Sequence, residues 1–182
     1  MDKFTLTREE AVLLIIDIQE RLVPAMPSAK QVIKNTNTLI SIAEKLKIPI
    51  MVTEQYPKGL GKTVAEININ LPTTPVYEKK TFSGCTEEVV SALDQLKRKK
   101  IIVAGMETHI CVLQTVRDLL KADYQVFVVG DAVCSRTKEN YQNALSLINQ
   151  MGGVVTNTET VFFDLIKEAA TPLFRELSKL IK

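Results

Sequence analysis

Lys100-Ile-Ile-Val-Ala-Gly-Met-Glu-Thr-His-Ile-Cys-Val-Leu-Gln-Thr115 decides the fold. Ile101, Ile102, Val103 and Ala104 form an unbroken apolar run, the mark of a strand buried on both faces of a parallel sheet. Gly105 ends it. From Cys111 onward Val112, Thr115, Val116, Leu119 and Leu120 recur at helical spacing, so an amphipathic helix follows, with Thr108 as its expected N-cap. Cys111 is thereby placed in the first turn of a helix, just beyond a buried strand. Unpaired backbone N–H groups and the helix dipole favour an anion there. A thiol so placed is expected to have its pKa lowered from about 8.5 into roughly the 3.5–7.5 range. Cys111 is a candidate nucleophile on that ground.

Working outward, residues 11–16 (Ala-Val-Leu-Leu-Ile-Ile) form a second buried run, ending in Asp17 and followed by Gln19. A carboxylate after six apolar residues is either paired, because burying it alone is costly, or sits on an exposed tip or caps a turn. Pro24 and Pro27 keep the next loop from being helical. Ser28 opens a helix with Val32, Ile33, Leu39, Ile40, Ala43 and Leu46 on its buried side. A short strand over 48–52 leads into a loop, Thr53-Glu-Gln-Tyr-Pro-Lys-Gly-Leu-Gly61, of the polar-aromatic kind that contacts ligands at strand ends. Tyr56 reads equally well as an ordinary packing residue there. Pro72 and Pro75 mark 62–75 as irregular, and a weaker strand over 75–78 enters Lys79-Lys-Thr-Phe82.

Further helices are expected over 88–97, 138–151, 160–166 and 172–181, with strands over 124–129 and from 154. The strand over 124–129 should end at Gly130-Asp131. The last helix carries a stripe, Leu173, Phe174, Leu177, Leu180 and Ile181, that suits core or a subunit contact. Lys97 to Lys100 read as a solvated helix end. The β-α alternation, without repeats or low-complexity stretches, gives a three-layer α/β/α doubly wound sheet of about six parallel strands in one domain, 1–182. In such a sheet the strand C-termini share one edge, where ligands bind. Asp17, Lys79 and Cys111 fall there: an acid, a cation and a thiol on converging tips.

Composition removes other classes of function. Hydrophobic residues at 46% and charged residues at 24% are ordinary for a globular chain, and a net charge of +2 with no basic-aromatic stripe gives no nucleic-acid footprint. No apolar run is long enough for a bilayer, and the N-terminus lacks a signal-peptide pattern. Three cysteines in no framework spacing (Cys85, Cys111 and Cys134) are expected as free thiols in a reducing cytoplasm. Cys85 and Cys134 fit small buried or loop positions, with Cys85 close enough to Lys79 to line the pocket. His109, the single histidine, lies two residues from Cys111, and side chains so spaced do not face each other on a helix. A Cys–His pair needs an irregular turn.

Three stretches, Asp17-Ile-Gln19, Glu78-Lys-Lys-Thr-Phe-Ser83 and Ala104-Gly-Met-Glu-Thr-His-Ile-Cys-Val112, resemble the motifs of the isochorismatase-like cysteine hydrolases, in family order. The loop at 53–61 is most similar to that of the small isochorismatase-domain proteins of bacteria and animals. The resemblance implies a Rossmann-like isochorismatase-like hydrolase fold and a triad. In it Cys111 is the nucleophile attacking a small amide or related C–N substrate, Asp17 the proton carrier, and Lys79 the cation that holds the thiolate. The Lys-x-x-Phe-Ser spacing selects Lys79 over Lys80. It further implies a cis Met106–Glu107 bond, with the backbone N–H groups of Glu107 and Cys111 forming an oxyanion hole. Gln19, Gln55, Tyr56, Phe82 and Thr108 are the expected substrate contacts, and a homodimer or tetramer is the expected assembly. The nicotinamidase branch holds a metal with an Asp-x-His pair and a further His; with one His, this chain is expected to bind no metal and no cofactor. Isochorismatase itself cleaves a vinyl ether, so the family name is not a substrate.

Three rival readings are weighed by residues. A silent interaction protein would not need the complete triad. A phosphoacceptor receiver needs an Asp ending strand three and a Lys ending strand five, where this chain has Lys79 and Gly130-Asp131. A dinucleotide-binding domain needs Gly-x-Gly-x-x-Gly after strand one, which is absent.

Overall fold

The computed structural model describes residues 4–69 and 73–181, so the expectation placed on Pro72 lies outside the described residues. Strands β1 (Ala11–Ile16), β2 (Ile50–Gln55), β3 (Val76–Lys79), β4 (Lys100–Met106), β5 (Gln125–Cys134) and β6 (Val154–Thr156) form one sheet in the order β3-β2-β1-β4-β5-β6. Every pairing is parallel. The chain winds outward from β1 to β3, then returns to lay β4 against the other side of β1. The order therefore reverses between β1 and β4, which is where an open α/β sheet leaves a crevice at its strand C-termini.

Alternate residues of each central strand enter different cores, because successive side chains point to opposite faces. Ala11, Leu13 and Ile15 pack with Val32, Leu39 and Ile40 of α1 (Ala29–Lys45) and with Val161, Phe162 and Leu165 of α6 (Thr158–Ile166). Val12, Leu14 and Ile16 meet Val89 and Leu93 of α3 (Glu87–Leu96), Val116 and Leu119 of α4 (Leu113–Lys121) and Ile148 of α5 (Lys138–Gln150). A sheet covered on both faces explains why β1 and β4 are apolar throughout.

Several local expectations are corrected. β2 does not stop at residue 52 but runs through Thr53, Glu54 and Gln55, whose polar side chains find partners on neighbouring segments. β5 continues past Gly130 to Cys134, with a register irregularity against β4 between Val103 and Gly105. Pro24 lies inside a short 3-10 turn, Val23–Ala25, because proline is tolerated in the first turn of a helix, where its missing N–H costs no bond. Lys100 is no solvated helix end: it is 1% exposed and pairs with Glu10 at 2.8 Å. Arg98, its neighbour in that cluster, donates to the carbonyls of Arg8 and Ala11 at 2.7 and 3.0 Å. The C-terminal stripe splits between α7 (Pro172–Leu177) and a 3-10 turn, with Leu177 buried and Leu180 exposed.

Candidate active site

Asp17 directly follows β1, and its backbone takes a left-handed conformation (φ 52°). The side chain is fully buried. Its Oδ1 accepts from Thr53 Oγ1 at 2.7 Å, and its Oδ2 accepts from Lys79 Nζ at 2.6 Å. Thr53 is the β2 residue in register with Ile16, so parallel pairing sets the hydroxyl beside the carboxylate. Lys79, the last residue of β3, reaches past β2 to make this bond. Its ammonium also donates to Gln55 Oε1 at 2.7 Å and to the carbonyls of Phe82 and Thr81 at 3.1 and 3.3 Å. Four acceptors for three protons leave that cation saturated.

β4 delivers the third group. Gly105 (φ 130°) lies so close to β1 that a Cβ there would stand 2.0 Å from the carbonyl oxygen of Ile16. The Met106–Glu107 peptide that follows is cis, as the resemblance implied. Residues Thr108–Val112 then make a π-helical turn leading into α4. Thr108 is the first residue of this turn, not a cap: it is fully buried and its hydroxyl has no partner. Cys111 is buried within the turn, and its carbonyl accepts from Thr115 Oγ1 at 2.6 Å. Its thiol lies close enough to Asp17 and Lys79 for both side chains to act on it. The acid, cation and thiol from β1, β3 and the β4–α4 connection therefore meet at the switch point of the sheet.

The electrostatics reverse one expectation. The Cys111 thiol is not acidified but pushed up to about 12. Burial is the largest cause, the charge of Asp17 the next, and Lys79 opposes both only in part. The helix-terminus argument fails because a neighbouring carboxylate and a dry surround outweigh it. Both favour the protonated form of the Cys111 thiol.

Cys111 opens on a cavity of about 100 Å³ lined by Leu22, Gln55, Leu60, Phe82, Glu107 and Ile110. Of the expected substrate contacts, Gln55 and Phe82 are on its wall. Gln19 is buried beneath, donating to the carbonyls of Gln55 (3.0 Å) and Gly61 (2.7 Å) while accepting from the Gln55 N–H (2.7 Å). It ties β2 to the loop that carries α2 (Pro57–Leu60). Tyr56 is half exposed and borders another depression, whose lining includes Glu78, Lys79 and Lys80. Glu107 is nearly buried, its Oε2 accepting from Arg136 N and Nε at 3.0 Å each. His109 turns away, with Nδ1 2.9 Å from Ser135 Oγ, so the π turn pairs it with Ser135 and not with Cys111. Cys85 borders a different depression along α3 with Glu87 and Asp94, and Cys134 is buried. Among the described residues, no group of three or more His, Cys, Asp or Glu is arranged to hold a metal ion, and no helix is long and apolar enough to cross a membrane.

Thr53, Leu22, Leu60 and Ile110 were not anticipated. Thr53 had a usable signal: it follows an apolar strand at the tip, as Asp17 does in β1. The three aliphatic residues had none, since loop hydrocarbons carry no mark of the cavity they will line.

A family model described as the isochorismatase domain matches residues 11–160. The secreted isochorismatase effector Isc1 of Phytophthora sojae is 42% identical over 177 residues, covering 94% of this chain and 84% of its own. Isochorismatase domain-containing protein 2 of Danio rerio is 36% identical, covering 97% and 89%. Among solved structures, the MAR1 ribonuclease from Caenorhabditis elegans superposes with a TM-score of 0.91 at 35% identity, over 97% of this chain and 92% of that one.

Proposed function

The chain belongs to the isochorismatase-domain family, and from that premise we propose that it is a cysteine-dependent hydrolase of small amides or related C–N substrates. One observation supports the reading above others: a fully buried Asp17–Lys79 pair at 2.6 Å beside a thiol that opens on a cavity. Buried charges are costly and persist where something uses them.

The thiol starts protonated, so attack and proton transfer go together. Asp17 takes the Sγ proton as the S–C bond forms at the substrate carbonyl. The carbonyl oxygen becomes negative facing the N–H groups of Glu107 and Cys111. Asp17 then gives its proton to the leaving nitrogen, the C–N bond breaks and the amine departs. Water enters, passes a proton to Asp17 and adds to the thioester; collapse breaks the S–C bond, and the sulfur recovers the proton from Asp17. The net change is amide plus water to acid plus amine. Lys79 holds the carboxylate in place and offsets negative charge as the sulfur ionises. Thr53 fixes the other carboxylate oxygen.

Cys111→Ala and Asp17→Asn are each expected to abolish turnover, at least about 1,000-fold in kcat, while the far-ultraviolet circular dichroism stays that of the parent. A Cys111→Ala protein that hydrolyses an identified substrate at the parent rate would overturn the assignment of Cys111 as the nucleophile. RNA cleavage, suggested by the name of the worm structure, calls for cations at the phosphate; the cavity wall at Cys111 carries none.

A further inference from the structure

The cavity beside Cys111 is small. Its volume of about 100 Å³, set against the ~30 Å³ a water takes up in the liquid, holds roughly three to four non-hydrogen atoms. Pockets for drug-sized ligands begin at about 300 Å³. Its hydrocarbon comes from four separate segments: Leu22 after β1, Leu60 in α2, Phe82 after β3 and Ile110 in the π turn. Phe82 is 54% exposed, so its ring forms the outer wall and sets the depth.

The polar groups on that wall are already engaged or of one sign. Gln55 Oε1 accepts from Lys79, and its Nε2 donates to the Lys80 carbonyl at 2.9 Å. Glu107 is the one charged residue of the wall, and behind it the ammonium of Lys79 is saturated by four acceptors, Asp17 among them. Arg136 reaches Glu107 but is not part of the cavity wall. A substrate carboxylate or phosphate would lose its water against a wall that carries one carboxylate and no cation.

Resting on the reading of Cys111 as the nucleophile, we infer that the substrate presents an uncharged aliphatic acyl group of roughly two to four carbons, with Phe82 and Leu60 setting the length limit. Larger or dianionic molecules, isochorismate-like acids among them, do not fit. The leaving group departs on the open side, past Phe82.

The experiment measures acylation of Cys111 by intact-mass and peptide spectrometry, using p-nitrophenyl esters of acetic, butyric, hexanoic and octanoic acids and the half-ester of succinic acid. Acetyl and butyryl esters should acylate Cys111 at rates within about 10-fold of each other. Hexanoyl and octanoyl esters should be at least about 10-fold slower, since one misfitting methylene already costs roughly that much. The succinyl ester, matched to butyryl in length, should be at least about 100-fold slower. Phe82→Ala should move the optimum to hexanoyl or beyond while the succinyl ester stays excluded; Leu60→Ala, on a different segment, makes the same test independently of how Phe82→Ala folds. Octanoyl or succinyl esters reacting as fast as butyryl in the parent protein overturn the inference and leave the nucleophile standing. No adduct on Cys111 with any ester overturns the nucleophile reading, and the inference with it.

Discussion

Lys79 is buried beside Asp17 at zero side-chain exposure on both partners, and that sets what its removal does. Lys79→Met leaves a carboxylate in a dry site with Thr53 as its remaining side-chain hydrogen-bond partner, and losing one member of a buried pair costs about 3–5 kcal/mol. Urea denaturation should show the midpoint falling by that equivalent. Thr53→Val removes the 2.7 Å bond to Asp17 Oδ1 and should cost about 1–2 kcal/mol, with kcat reduced more than KM because the carboxylate is freed to turn. The raised thiol of Cys111 gives a pH signature. Its folded value of about 12 lies above the ordinary 9.0, so the protonated thiol favours the folded state at and below pH 9. That contribution is lost as pH climbs from about 9 toward 12. The stability gap between the parent and Cys111→Ala should therefore shift against the parent across that range, read as denaturation midpoints at pH 8 and pH 10.5. The convergence of Asp17, Lys79 and Cys111 was legible in the sequence, because the alternation puts the C-termini of β1, β3 and β4 on one edge of the sheet. The direction of the Cys111 shift was not. It depends on what surrounds the sulfur in space, and a helix-terminus argument sees only its chain neighbours.

At the scale of elements, the strand tips decide. β1 and β4 were readable because both of their faces are buried, which leaves no room for alternation. The end of β2 was not, since Thr53, Glu54 and Gln55 look like a polar loop until the partners that satisfy them are known. β5 misled in the same way: Gly130-Asp131 reads as a stop, yet the strand carries on through a register irregularity. The π turn at Thr108–Val112 departs from helical spacing for a single turn, too short for periodicity to report. Gly105 is the residue on which this junction turns. Gly105→Ala requires a Cβ 2.0 Å from the Ile16 carbonyl at φ 130°, and should destabilise by about 3 kcal/mol or more. Thermal unfolding would report it as a large drop in Tm.

Across the whole molecule, the crossover that returns the chain from β3 to β4 is what turns three distant positions into neighbours. The sequence announced that topology through its alternation alone. The cavity needed every loop in place, which is why its aliphatic lining stayed hidden. The depth at which the Asp17–Lys79 pair lies has its own consequence. Dissolved ions shield charges that bulk solvent surrounds; the side chains of these two have no exposed surface. Raising sodium chloride from about 0.05 to 1 M should leave the rate constant for turnover nearly flat, where an enzyme working through charges on its skin would slow. The heart of this protein is, in effect, insulated from the ionic weather of whatever compartment it occupies.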